Sequence, residues 1–290
     1  MSEASPDDYY VPHGTHWPII GSIGLTVTVV GFARFLHGSE MTMMFLGIAI
    51  LIFMLYGWFG QVIDESIAGL YNKQVDMSFR LGMGWFIFSE VMFFGAFFGA
   101  LFYARAYSIP WLGGASNNDA TAWLLWPDFE AVWPLLAVPM AEKFAVAKEA
   151  MGAWGLPAIN TAILLTSGLT ITLAHHALRR QDRVWLVYWL FATVALGFLF
   201  VGLQALEYMH AYEELNLRID SGIYGSTFYM LTGFHGFHVT MGATMLLVIL
   251  IRSMKGHFSP ENHFGFEAVA WYWHFVDVVW LGLFIFVYWI

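Results

Sequence analysis

SFRLGMGWFIFSEVMFFGAFFGALFYARAY, Ser78 to Tyr107, carries one charged side chain, Glu90, between Arg80 and Arg105. As a helix rising about 1.5 Å per residue, the run between the two arginines spans about 37 Å. That exceeds the ~30 Å hydrocarbon core of a bilayer, so each arginine can extend its head group to its own interface. A barrel strand would instead alternate apolar and polar residues over about ten positions. Here apolar residues occupy consecutive positions, and the stretch reads as a membrane-crossing helix with an acid near its midpoint.

Working outward, six further blocks share this character. The spans expected are 17–36, 41–63, 78–107, 158–178, 184–206, 228–251 and 268–290, which makes the chain an all-α membrane protein with seven transmembrane helices in a single membrane domain, 1–290. With 59% hydrophobic and only 11% charged residues, a water-soluble globule is excluded. The net charge of −9 is spread over loops with no basic stripe, which argues against nucleic acid. The absence of cysteine removes disulfides and thiolate metal sites. The first sixteen residues contain Glu3, Asp7 and Asp8 but no Lys or Arg, unlike the basic start of a cleaved signal, so the N-terminus is expected to be retained.

Basic residues set the expected orientation. An N-terminus in the cytoplasm places Lys73, Arg80, Arg179, Arg180, Arg183, Arg252 and Lys255 inside, against Arg34, Arg105, Lys143, Lys148 and Arg218 outside, giving an N-in, C-out topology. The segment 108–157 is a long outer connection with Trp111, Trp123, Trp126 and Trp133, a density suited to the membrane interface. Within it, Met140 to Met151 is expected to form a short surface helix. Gly95, Ala96, Gly99 and Ala100 give the third span the small-residue spacing of close helix contacts.

Few polar groups remain inside the membrane. Glu90 must be neutral, paired or facing a polar cavity, and it is either a structural hydrogen-bonding acid or a site of proton or ligand traffic. His235 and His238 share one face of the sixth helix, and interhelical hydrogen bonds outrank a metal for which nothing nearby completes a ligand set. His175 and His176 point to different faces near Arg179 and Arg180, an interfacial position. His274 and Asp277 are placed to pair, flanked by Trp273 and Trp280. The residues themselves define no catalytic, cofactor-binding or metal centre.

The C-terminal run HFGFEAVAWYWHFVDVVWLGLFIFVYW, His263 to Trp289, resembles the hallmark of subunit III of haem–copper cytochrome c oxidase, as do YGSTFYMLTGFHGFHV (Tyr224 to Val239) and FRLGMGWFIFSEVMFF (Phe79 to Phe94). TLAHHAL around His175 and LQALEY ending at Tyr208 are similar too. The resemblance covers every span. It implies a core subunit without a redox centre, with haem and copper in partner subunits, subunit I as the main contact and subunit II in the same complex. It implies two helices plus five, separated by a V-shaped cleft holding structural phospholipids. It also implies support of proton uptake, protection against turnover inactivation, and a part in an oxygen route. Glu90 matches the family's buried carboxylate; Trp58, Glu65, Arg80, Arg252, Lys255 and His257 match positions lining the cleft or its headgroup region. Asp64, in GWFGQVIDES, departs from a usually basic position. The long third-to-fourth connection looks like proteobacterial versions, implying a bacterial inner membrane and a surface for an accessory subunit or bound cytochrome c. Competing readings are the third subunit of a quinol oxidase and an independent transporter using Glu90 as its coupling site.

Overall fold

Each apolar block folds as a helix in the computed structural model, which describes residues 14–139 and 141–290. The acidic residues Glu3, Asp7 and Asp8 lie outside the described residues. The helices are α1 (Trp17–Leu36), α2 (Thr42–Ile67), α3 (Lys73–Tyr103), α4 (Leu156–Arg179), α5 (Arg183–Glu213), α6 (Gly222–Met254) and α7 (Phe264–Leu283). A π turn, Ala104–Ser108, and a short helical turn, Ile109–Leu112, prolong α3; a second π turn, Phe284–Trp289, prolongs α7. All seven are long and apolar enough to cross a membrane, and no strand occurs among the described residues.

Several helices outrun the expected spans. The fifth runs to Glu213 rather than 206, and the sixth begins at Gly222 rather than 228. Hydrophobicity marks where lipid ends, whereas backbone hydrogen bonding continues through amphipathic turns beyond it. Local chemistry fixes the true ends. Between α4 and α5 the chain reverses through Gln181 at φ 60°, and the Asp182 carboxylate accepts the Trp185 N–H at 3.2 Å to cap α5. Where α6 leads toward α7, the Arg183 guanidinium donates to the Met254 carbonyl and ties two turns together. Arg105 donates to the carbonyls of Phe286 and Ile290 at the C-terminal turn, where the helix dipole favours a cation.

Contacts divide the chain into two compact units that meet inside α3, the first ending at Leu81 and the second comprising Gly82–Ile290. In the first unit α1 packs closely on α2. A Cβ at Gly31 would overlap the Met43–Met44 backbone and one at Gly47 would overlap Thr28, so both positions require glycine for the approach. The Trp17 indole N–H donates to Gln61 Oε1 at 3.1 Å and pins the helix ends. In the second unit α4–α7 surround a buried core that includes Trp273, Trp280, Phe200, Phe228 and Phe266. The part of α3 beyond Gly82 joins this core through Phe93 and Phe97 against Phe234 and through Phe94 against Phe275.

The long connection is a packed part of the second unit. Its short helix is absent: only a three-residue 3-10 turn, Ala141–Lys143, forms, and Met140 lies outside the described residues. The backbone here bonds another loop instead of its own preceding turn. Lys148 N–H donates to the Leu215 carbonyl at 2.8 Å, and Asn216 Nδ2 donates to the Val146 carbonyl at 2.8 Å. The Met151 N–H donates to the Tyr224 hydroxyl at 3.0 Å. Buried Ala147, Met151 and Ala153 complete the contact.

Candidate functional site

Glu90 on α3 reaches His238 on α6, with Oε2 and Nε2 2.9 Å apart. The other ring nitrogen, Nδ1, lies 2.7 Å from the Phe234 carbonyl one turn back on α6. A carbonyl oxygen only accepts, so Nδ1 carries a proton and donates. Nε2 then faces the carboxyl group, and one proton is shared between them: it rests on Oε2 as a neutral acid beside a neutral imidazole, or on Nε2 as an ion pair. The pair has no net charge either way, which reconciles a carboxyl group with an apolar surrounding. Side-chain exposures of 20% for Glu90 and 10% for His238 leave the acid the more accessible partner. Phe94 packs edge-on to the imidazole at 5.0 Å and Tyr272 stacks on it at 6.3 Å, limiting its rotation. Chemically, the arrangement can pass one proton between the Glu90 carboxyl oxygen and the His238 Nε2.

The neighbouring histidine does different work. His235 is fully buried, and its Nε2 donates to the Val276 carbonyl of α7 at 3.2 Å. Thus His235 and His238, three residues apart, bond α7 and α3 respectively and share no ligand. His274 Nδ1 and Asp277 Oδ2 are 3.7 Å apart, beyond hydrogen-bond length. The Asp277 carboxyl group fills the space where a Cβ at Gly168 would lie. The flanking indoles tie α7 to α4: Trp273 donates to Ser167 Oγ and Trp280 to Thr161 Oγ1, both at 2.9 Å.

Trp58, Glu65 and Arg80 belong to the first unit. Trp58 is exposed; Glu65 accepts from Gln61 at 2.9 Å and from the Tyr71 hydroxyl at 2.8 Å. Asp76 accepts from Arg80 Nε at 2.7 Å. Arg252, Lys255 and His257 belong to the second unit, at the end of α6 and just after it. The Arg252 guanidinium lies 4.5 Å over the Phe258 ring, and Lys255 is exposed. Burial, with the Arg252 and Lys255 cations beside it, pushes the His257 imidazole below its ordinary pKa, favouring the neutral ring.

Two groups escaped the sequence reading. Glu207 is 1% exposed and sits one residue beyond the expected end of the fifth span, so it was not counted as intramembrane. Its Oε1 accepts from the Tyr288 hydroxyl at 2.6 Å and from Gln204 at 3.3 Å, and Asn160 donates to Gln204 at 3.4 Å. This polar line crosses α4, α5 and the end of α7. The second is the cluster of His175 with His263 and Glu267: the sequence places His175 near the interface without these partners, and adjacent His176 stays exposed.

The cytochrome c oxidase subunit III family model matches residues 7–117 and 129–290; the break, 118–128, falls in the long connection. Among curated relatives, cytochrome c oxidase subunit 3 of Drosophila yakuba is 41% identical, covering 100% of this chain and 99% of its own. The subunit 3 of Carassius auratus is 39% identical over 97% of this chain and 96% of its own. That of Arabidopsis thaliana is 38% identical over 100% and 98%.

Proposed function

The chain belongs to the cytochrome c oxidase subunit III family, and from that membership we propose that it is the non-redox core subunit of a proton-pumping cytochrome c oxidase. In this reading haem and copper sit in subunits I and II, which carry out four-electron reduction of oxygen to water. This subunit binds subunit I, holds structural phospholipids, supports proton uptake and protects against turnover inactivation. It lies N-in, C-out in a bacterial inner membrane, a placement supported by the long connection, which also offers a surface to an accessory subunit or to cytochrome c.

The observation that carries the reading is the outward face of α3. Gly95, Ala96, Gly99 and Ala100 are exposed, and a Cβ at either glycine meets nothing among the described residues. The small-residue spacing therefore makes no helix contact within the second unit among the described residues. We assign it to a helix of subunit I. The Glu90–His238 pair lies on the opposite face of the same helix, where α3 packs on α6, so the proton-sharing group is held within this chain. His235 and His238 are committed to Val276, Phe234 and Glu90, which supports the placement of haem and copper elsewhere.

Gentle solubilisation and purification by a tag on this chain tests the reading. The expected product contains a-type haem and copper in fixed ratio to the chain; a colourless, lone chain competent in transport overturns it. For the lipid role, Arg252→Gln is expected to lower retention of anionic phospholipid, measured by mass spectrometry, by about five-fold. That corresponds to roughly 1 kcal/mol for one basic residue at an anionic surface. Arg80→Gln should do less, because Asp76 already engages its guanidinium. Unchanged lipid content in both would remove these residues from the headgroup region.

A further inference from the structure

We propose that His175, His263 and Glu267 form a binding site for a divalent cation of the zinc class, joining the end of α4 to the start of α7. His175 lies in the last turn of α4. His263 is the residue just before α7, and Glu267 follows it by one turn, so both project to the same side. Their ligand atoms converge. His175 Nε2 and His263 Nε2 are 3.3 Å apart, His263 Nε2 and Glu267 Oε1 3.4 Å, and His175 Nε2 and Glu267 Oε1 3.6 Å.

Those edges match an ion's coordination shell. Ligands held tetrahedrally at about 2.0–2.1 Å from zinc lie roughly 3.3–3.4 Å from one another. The three atoms thus outline one face of a zinc tetrahedron, with the fourth position left for water or another small ligand. Two imidazoles and a carboxylate form a donor set that favours zinc and neighbouring transition ions over magnesium or calcium.

The surroundings also prepare the ligands. His263 Nδ1 lies 3.0 Å from the Ser259 carbonyl and must donate to it, which leaves the Nε2 lone pair facing the centre of the triangle. A cation satisfies all three donors together. Side-chain exposures of 29% for His175, 16% for Glu267 and 9% for His263 describe a site held in the fold yet reachable from one side. Arg179, one turn beyond His175, opposes a cation and restrains its affinity.

The site is built from this chain alone and does not depend on the oxidase reading. Its test uses the purified membrane assembly that carries the chain, equilibrated with zinc chloride and dialysed. Zinc per assembly is measured by inductively coupled plasma mass spectrometry. Wild type should bind one equivalent more than His175→Ala and one more than Glu267→Ala. His175 is the most exposed ligand, so its variant keeps the test available should His263→Ala fail to assemble. X-ray absorption at the zinc edge should report imidazole ligation at this site that His175→Ala diminishes. Equal zinc content in wild type and both alanine variants would overturn the proposal, as would an unchanged absorption spectrum.

Discussion

Replacing Gly95 and Gly99 together by leucine should strip the chain of its haem-bearing partner while leaving its own helices in place. Both positions lie on the exposed face of α3, and a Cβ built at either meets no atom of the described residues. Within the subunit the change therefore adds no clash, and leucine favours helix over glycine by up to about 1 kcal/mol per position. At a helix–helix contact the same change is costly, because small residues are what let two backbones approach. Overpacking a fitted contact costs about 1–3 kcal/mol per site. At 1.4 kcal/mol per decade, two sites weaken association by roughly 25-fold or more. The readout is the haem-to-subunit ratio after tag purification, with helicity by circular dichroism as the control. A haem ratio equal to wild type would mean that this face of α3 looks onto lipid, and the assignment to a partner helix would fall.

How much of this was legible in the sequence depends on whether the signal is local. The seven helices were, because a run of apolar residues long enough to cross a bilayer has few other stable forms. α1 coincides with its expected span, 17–36, since His16, Pro18 and the Arg34–Gly38 stretch bracket it. The ends of α5 and α6 were not legible. Polar residues such as Glu207 and His210 end an apolar block without ending a helix: Glu207 finds the Tyr288 hydroxyl at the end of α7, and His210 pairs with Glu214 one turn on. The expected helix near 140–151 failed for a related reason: the backbone partner of Lys148, Leu215, lies in a distant loop of the sequence.

The same division governs the site. Glu90 stood out because an acid inside an apolar run is costly wherever it points. His238 was visible too, but one helix's periodicity says which residues share a face and not which helix covers that face. The small-residue stripe on α3 shows this most plainly: spacing announces a contact, and the packing leaves the stripe uncovered among the described residues of the second unit. His175, His263 and Glu267 were invisible as a group for the same reason, since α4 and α7 are adjacent in space and far apart in sequence.

Glu90→Gln should leave assembly at wild-type yield, whereas Glu90→Leu should lower it, and the difference follows from the one shared proton. His238 Nδ1 is committed to the Phe234 carbonyl, so Nε2 needs either an acceptor for its proton or a donor for its lone pair. Glutamine supplies a donor N–H of nearly the same reach and keeps the neutral arrangement. Leucine supplies nothing, and a buried, unsatisfied ring nitrogen costs about 1–3 kcal/mol, roughly a five- to hundred-fold loss in the assembled fraction near the stability threshold. Removing both polar partners should then recover what removing one loses, because apolar groups of similar shape leave no unmet hydrogen bond. The double variant Glu90→Leu with His238→Phe is therefore expected to assemble better than Glu90→Leu alone, a coupling that a double-mutant cycle on complex yield measures. Glutamine nevertheless freezes the proton on one side. It retains the complex but abolishes exchange through the pair, so any carboxyl band that wild type shows in infrared difference spectra on turnover, and that arises from Glu90, should be absent from the variant. A glutamine variant that fails to assemble would show that the fold itself requires the carboxyl group. A double variant no better than the single would show that His238 does not depend on Glu90 for its partner, and the shared-proton account would be lost.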